Sequence, residues 1–488
     1  MQKNTNLDLS RGDLLKQLCL IDGQWFAADS GETLSVHDPA NGNFLASVPY
    51  MGRIETERAI AAAEAALPMW RSFSAAQRAK VLRAWANLML KHQDDLARIL
   101  TLEQGKPMAE SRAEIAYGAS FLEWFAEEGK RADGEVLQSQ RTGQRMFVLK
   151  QPVGVCAAIT PWNFPVAMIT RKAGPALAAG CTMVVKPAEL TPLSALALGV
   201  LALEAGLPAG VLQILTGDPS IIGATLCEND IIRKLSFTGS TAVGKLLMRQ
   251  CAENVKKLSL ELGGNAPLLV FDDADINVAV EGIIASKFRN TGQTCVCANR
   301  IYVQSGIHDA LVERLVDRVQ ILKVGHGLDE GVEQGPLINA RAVATVQAHI
   351  SDALEKGAIL HTGGTPHAHG GHFFYPTVLS GVTQDMRIAR EETFGPVAPV
   401  FRFTNEEEVL SMANASDYGL ASYLFTEDRR RIWRVSEQLE CGMVGVNTGQ
   451  ISNEVAPFGG IKQSGLGREG SRHGLDEYQE LKYICLQD

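Results

Sequence analysis

The sequence predicts an α/β protein built on parallel sheets, and three observations carry that expectation. Short β-type runs alternate with amphipathic helical stretches from about Gln144 onward, no repeat of fixed period runs through the chain, and 46% hydrophobic with 21% charged residues is a globular composition. At 488 residues the chain exceeds what one core holds, so two or more domains are expected.

In chain order, Ile54 to Ala126 is helical, with Leu82, Trp85, Met89, Leu96 and Ile99 at helical spacing, and it reads as packing rather than chemistry. Strands follow at Val153–Ile159, Met183–Lys186, Gln213–Leu215 and Lys234–Phe237, with helices between them, the order of βαβ units. A second α/β run starts near Lys257, with strands at Leu258–Glu261, Pro267–Phe271, Arg300–Val303 and Val397–Phe403 and helices around Asp275–Arg289 and His308–Val324. The domain boundary falls near Glu261. Asp133–Arg145 and Glu477–Asp488 stand apart from this pattern and read as strands reaching another subunit.

Charge and composition narrow the function. A net charge of -9 and a pI near 5.7 argue against nucleic acid or acidic lipid as partner. No apolar run reaches membrane-spanning length, and Met1–Asp22 lacks a signal-type stretch, so a cytoplasmic protein is expected. Nine scattered cysteines suit free thiols in a reducing compartment. His367, His369 and His372 lie in a Gly-rich stretch of hairpin-loop composition, and no metal site is assigned to them.

Several short segments carry chemistry. Gly292-Gln293-Thr294-Cys295-Val296-Cys297 is a Gly-entered loop between helix and strand, where a thiol can be a nucleophile; taken alone, Cys295 is as readily a structural thiol. Glu261-Leu262-Gly263-Gly264-Asn265 places a carboxylate at a strand end, as a base or as solvated surface. Pro161-Trp162-Asn163-Phe164-Pro165 is a rigid corner whose Asn163 either holds an oxyanion or bonds its own backbone.

The Gly-x-Gly-x-x-Gly dinucleotide fingerprint is absent. Phe237-Thr238-Gly239-Ser240-Thr241 ends a strand and opens a helix, so its amides are able to face a pyrophosphate. Lys186-Pro187-Ala188-Glu189 lies at a strand's carboxyl end, where Lys186 and Glu189 reach a ribose or simply precede a helix. A carboxylate at 189 bonds a free 2'-hydroxyl and repels a 2'-phosphate, which favours NAD over NADP.

Together with Glu392-Thr393-Phe394-Gly395-Pro396 and Pro457-Phe458-Gly459-Gly460, these segments resemble the aldehyde dehydrogenase superfamily, in that family's order and across nearly the whole chain. Within it, Ile169-Thr170-Arg171-Lys172, Ser286-Lys287-Phe288-Arg289-Asn290 and Cys295-Val296-Cys297 are most similar to the branch acting on succinate semialdehyde. The resemblance implies a Rossmann-like cofactor-binding domain over 1–132 and 152–260, an α/β catalytic domain over 261–463, and a small β oligomerisation arm over 133–151 and 476–488. A homodimer or homotetramer is then expected.

It also implies roles. Cys295 is the nucleophile, Asn163 and the Cys295 amide hold the oxyanion, and Glu261 activates the hydrolytic water. Trp162, Asn163, Lys186, Glu189, Gly239, Ser240, Leu262, Glu392 and Phe394 line an NAD or NADP site. Arg171, where many relatives that use neutral aldehydes place an aromatic residue, joins Arg289 to clamp a substrate carboxylate, with Ser452, Phe164 and Phe458 around it. A short aldehyde carrying a carboxylate fits: succinate semialdehyde, with glutarate semialdehyde as the longer alternative, because one methylene discriminates by only about 1–3 kcal/mol. Transfer of the acyl group to coenzyme A and a non-catalytic scaffold of the same fold are the rival readings. Cys297 is a candidate redox partner of Cys295, or a quiet neighbouring thiol.

Overall fold

The computed structural model describes residues 7–487; the first six residues of the expected 1–132 segment and Asp488 of the expected arm lie outside it. Two twisted sheets meet end to end. The first runs Gln24–Phe26, Cys19–Ile21, Leu212–Ile214, Thr182–Lys186, Val155–Ile159, Ile232–Thr238, Lys257–Glu261, Gly465–Leu466, and its five middle strands are parallel. The strands Val155–Ile159, Thr182–Lys186 and Leu212–Ile214 step one way across the sheet, whereas Ile232–Thr238 and Lys257–Glu261 step the other. The order therefore reverses between Val155–Ile159 and Ile232–Thr238, and the crevice at such a reversal, beyond the carboxyl ends of the strands, is where open α/β sheets bind ligands.

The second sheet runs Ile359–Thr362, Thr377–Ser380, Val397–Phe403, Ala298–Gln304, Ala266–Val270, Ala421–Phe425, Met443–Val446, parallel except for its first pair. Glu261 is the last residue of one sheet's strand and Ala266 the first of the other's. The carboxyl end of the first sheet thus faces the amino end of the second across four residues.

Each strand and helix expected of the two sheets is present within a few residues, apart from the helix expected to reach Val324, which stops at Gln320; of the expected Asp133–Arg145 segment only Glu135–Leu137 and the start of Gln144–Pro152 are strand. The helical region resolves into Arg53–Ser72, Ala75–Lys91, Gln93–Gln104 and Met108–Glu128, packed on the first sheet around Trp70, Trp85, Phe121 and Phe125. The short N-terminal strands, including the hairpin Thr33–His37 with Phe44–Pro49, had no clear alternation to reveal them. A third, antiparallel sheet joins Glu135–Leu137, Gln144–Pro152 and Gln479–Gln487, and it leaves Val136, Leu481, Tyr483 and Leu486 exposed.

The helix Ile276–Lys287 delivers the chain to the Cys295 loop, and Gly282 sets how closely it packs. A Cβ there would lie 2.2 Å from the ring of buried Phe425. Gly282→Ala is therefore expected to destabilise the protein by about 1–3 kcal/mol despite alanine's better helix propensity. A melting temperature equal to the parent's would contradict this packing.

Candidate active site

Cys295 leaves the helix Ile276–Lys287 through a tight, left-handed stretch: Asn290 and Thr291 have φ of 49° and 56°, and Gly292 follows at 75°. Successive non-glycine residues in that region are strained and persist only where the surroundings hold them. Here Glu110 accepts the Asn290 N–H at 2.9 Å, Gln104 Nε2 donates to Asn290 Oδ1 at 3.0 Å, and Asn290 Nδ2 donates to the carbonyl oxygen of Asn163 at 3.1 Å.

Asn163 is held to the same loop. Its Nδ2 donates to the carbonyl oxygen of Gln293 at 3.0 Å, and its own carbonyl oxygen also accepts from the fully buried Lys106 Nζ at 2.6 Å. Lys106 pairs with Glu114 at 2.5 Å, and Glu114 in turn accepts the Val166 and Ala167 N–H groups at the start of the next helix. Lys106, Glu110 and Glu114 all come from the region whose sequence reads as packing alone. That reading is corrected: the helical layer fixes both site loops. A lysine between Gly105 and Pro107 offered no periodicity or motif from which to read this role.

One cavity of about 230 Å³ brings Cys295, Glu261, Asn163, Trp162, Phe164, Gly239, Ser240, Leu262, Glu392 and Phe394 together at the reversal of strand order. Gly264 permits this closeness, because a Cβ on it would stand 2.4 Å from the Cys295 carbonyl oxygen. Burial, reinforced by Glu392, pushes the Cys295 thiol up to about 12. Glu261, 4% exposed, has one carboxylate oxygen without a hydrogen-bond partner, and burial followed by the nearby Glu469 raises its pKa well above the usual carboxylate range. A thiol that needs a proton acceptor thus shares a cavity with a carboxyl shifted toward neutrality, the condition for general-base work.

The same cavity carries groups suited to the nicotinamide end of a dinucleotide. Glu392 has a buried oxygen without a partner, and burial pushes its carboxyl up to about 8, as expected of an acceptor awaiting a hydroxyl. Ser240 caps the helix Thr241–Cys251, whose first amides face the opening. Trp162 and Phe394 meet edge to face at 5.6 Å, leaving aromatic surface for a ring. Lys186 and Glu189 sit beyond, ion-paired with each other.

Arg289, Ser452 and Phe164 line a second cavity of about 190 Å³ with Tyr117, Glu110, Glu114 and Gln450, and Phe164 is the wall it shares with the first. The Arg289 guanidinium lies 4.8 Å over the Phe164 ring. Arg171 is placed differently from expectation. It is 1% exposed, stacked 3.9 Å over Phe458 and outside the lining of both cavities, and its Nη2 is 2.8 Å from Glu469 Oε2 as an ion pair, while its Nε and Nη2 make no hydrogen bond among the described residues. Burial alone would raise Glu469, but Lys172 and Arg171 overcome it and hold its carboxyl below the usual range. Cys297 is fully buried with its thiol 3.5 Å from the Lys287 carbonyl oxygen, outside both cavities.

Lys106→Met leaves the Glu114 charge uncompensated in the interior, and a loss of about 3–5 kcal/mol in stability is expected. Adding Glu114→Gln should restore much of the melting temperature but not the turnover, since the Asn163 corner stays unsupported. Full recovery of both would remove the positioning role.

Comparison with known proteins identifies the family. The model of the aldehyde dehydrogenase family matches residues 25–484. A succinate-semialdehyde dehydrogenase [NADP(+)] from Escherichia coli (strain K12) is 59% identical over 480 residues, covering 98% of this chain and all of that one. A glutarate-semialdehyde dehydrogenase from Pseudomonas aeruginosa is 58% identical, covering 98% and 99%. The crystal structure of succinate-semialdehyde dehydrogenase from Burkholderia pseudomallei superposes with a TM-score of 0.98 at 60% identity, covering 98% of this chain and all of that one. With two joined α/β sheets, a cysteine and a glutamate in one cavity and a match across nearly its full length, the chain belongs to the aldehyde dehydrogenase family.

Proposed function

We propose that this enzyme oxidises succinate semialdehyde to succinate with a nicotinamide dinucleotide and water, through a thioester on Cys295. The observation that carries the reading is the pair of adjoining cavities. One holds Cys295, Glu261 and Asn163, and the other, across Phe164, holds the cationic Arg289 with Ser452. An aldehyde bearing a carboxylate a few carbons away spans the two.

Glu261 takes the Cys295 proton, and the sulfur attacks the carbonyl carbon. The oxyanion that forms receives hydrogen bonds from Asn163 Nδ2 and the Cys295 amide. Phe394, Glu392 and Ser240 would hold a nicotinamide dinucleotide, which would supply the hydride acceptor for that carbon. Glu261, after passing the first proton to solvent, then deprotonates water for attack on the thioester and returns that proton to the departing sulfur, releasing the acid and the thiol. This use of Glu261 distinguishes hydrolysis from transfer to coenzyme A, and an unchanged rate on adding coenzyme A is the expected result.

Arg171, behind Phe458, acts in this scheme as a buried positive charge shared between Glu469 and the substrate end, while Arg289 makes the direct contact. NAD is the preferred cofactor: Glu189 stands beside Lys186, and Asp218, held below the usual range first by the Ile221 amide, adds a second negative charge near Lys186. A 2'-phosphate carrying about -2 charge would be repelled there. The exposed apolar residues of the third sheet support the reading of that sheet as an arm for homo-oligomers. Among the described residues no helix is long and apolar enough to cross a membrane.

Three outcomes are expected. Asn163→Ala lowers kcat by about 10²–10³ with the fold intact, the usual result of losing one oxyanion donor; an unchanged kcat contradicts the assignment. Because the carboxyl of Glu261 is raised, its base form gains population as pH climbs above the ordinary carboxylate range. Turnover should therefore rise with pH through that group's pKa, and Glu261→Gln should abolish this limb. In fluorescence titrations, NAD should bind more tightly than NADP and Glu189→Ser should narrow the gap; tighter NADP binding by the parent overturns the cofactor preference.

A further inference from the structure

We propose that Tyr117 is a substrate-binding residue, whose hydroxyl donates a hydrogen bond to the distal carboxylate of the substrate alongside Arg289 and Ser452. This inference rests on the dicarboxylate reading above and names a donor the sequence did not point to.

Tyr117 lies in the helix Met108–Glu128, and its side chain lines the Arg289 cavity. Its ring packs edge to face on Phe121 at 4.9 Å, which fixes its direction. The hydroxyl oxygen is shut off from bulk solvent and makes no hydrogen bond of good geometry among the described residues, although the Ser452 side chain lies close enough to act on it. A buried tyrosine hydroxyl ordinarily finds a partner, and leaving it unpaired costs the group its hydration with nothing in return. The cavity wall therefore holds an under-bonded tyrosine hydroxyl and the neighbouring Ser452 hydroxyl beside a guanidinium, Arg289, for which the described residues offer no ion pair.

Groups of opposite sign on the same wall are engaged elsewhere. Glu114 is paired with Lys106 and accepts two backbone N–H groups, while Glu110 accepts the Asn290 N–H. Burial raises the Tyr117 hydroxyl although Arg171, Arg289 and the Ser452 hydroxyl pull against it, so it is a protonated donor at neutral pH. Three donors lining one small cavity match the lone pairs of a carboxylate, and the acceptor they lack is the one a semialdehyde brings.

The test is the discrimination between succinate semialdehyde and butanal, the same chain length with the carboxylate replaced by a methyl group, measured as the ratio of kcat/KM values for the parent and for Tyr117→Phe. The ratio should fall by about 10–100-fold, as for the loss of a hydrogen bond to a charged group. The fall should lie mainly in KM. The inhibition constant of succinate against butanal oxidation should rise by a similar factor, a readout that a general loosening of the fold does not move selectively. A parent that discriminates strongly while the variant keeps both the ratio and the succinate constant overturns the role of Tyr117 alone. A parent ratio near one overturns the dicarboxylate reading and this proposal with it.

Discussion

The two halves of the site are joined through Asn163, whose Nδ2 donates to the Gln293 carbonyl oxygen at 3.0 Å while its carbonyl oxygen accepts from Asn290 Nδ2 at 3.1 Å. Asn163 follows a strand of the first sheet, and Gln293 belongs to the loop that enters the second. The first bond turns the carboxamide toward the nucleophile's loop and ties that loop to a corner stiffened by Pro161 and Pro165. Lys106 and Glu114 then lock the corner to the helical layer. The left-handed stretch Asn290–Gly292 stays in its strained form because these partners meet it on several sides. Strain held by buried hydrogen bonds is how the loop keeps a thiol at a cavity floor instead of in the core.

Electrostatics follow from that arrangement. Buried carboxyls surround the thiol, and each has a different fate set by its neighbours. Glu469, between Lys172 and Arg171, stays charged, whereas Glu261 has one carboxylate oxygen without a hydrogen-bond partner among the described residues and Glu392 is withdrawn from water, so both rise toward neutrality. Separating neighbouring carboxyls in this way lets one serve as a fixed charge and another as a proton carrier.

Much of this was readable from the chain alone, and what was not has a physical reason. Parallel strands are continuous apolar runs, so Thr182–Lys186 and Ala266–Val270 announced themselves, and the motifs around Asn163, Glu261 and Cys295 marked the loops at the junction. The N-terminal hairpins are only a few residues long, below the length at which alternation is distinguishable. Lys106, in the turn between two helices, and Glu114 and Tyr117, on the helix after it, were hidden because sequence shows a helix's apolar face, while a buried ion pair or an under-bonded hydroxyl depends on contacts with other segments such as Asn163 and Val166. Arg171 shows the converse: its residue type pointed to an anion, but only the fold reveals that Glu469 is the anion beside it.

The claim on which everything else stands is that the substrate carbon bonds to one particular sulfur. The direct measurement is acid quench of the enzyme during turnover with dinucleotide and succinate semialdehyde, followed by peptide mass spectrometry of the trapped acyl group. The account predicts a succinyl mass on the peptide holding Cys295, absent from Cys295→Ala. An adduct on Cys297 or any other residue, or turnover by the Cys295→Ala protein, would contradict it.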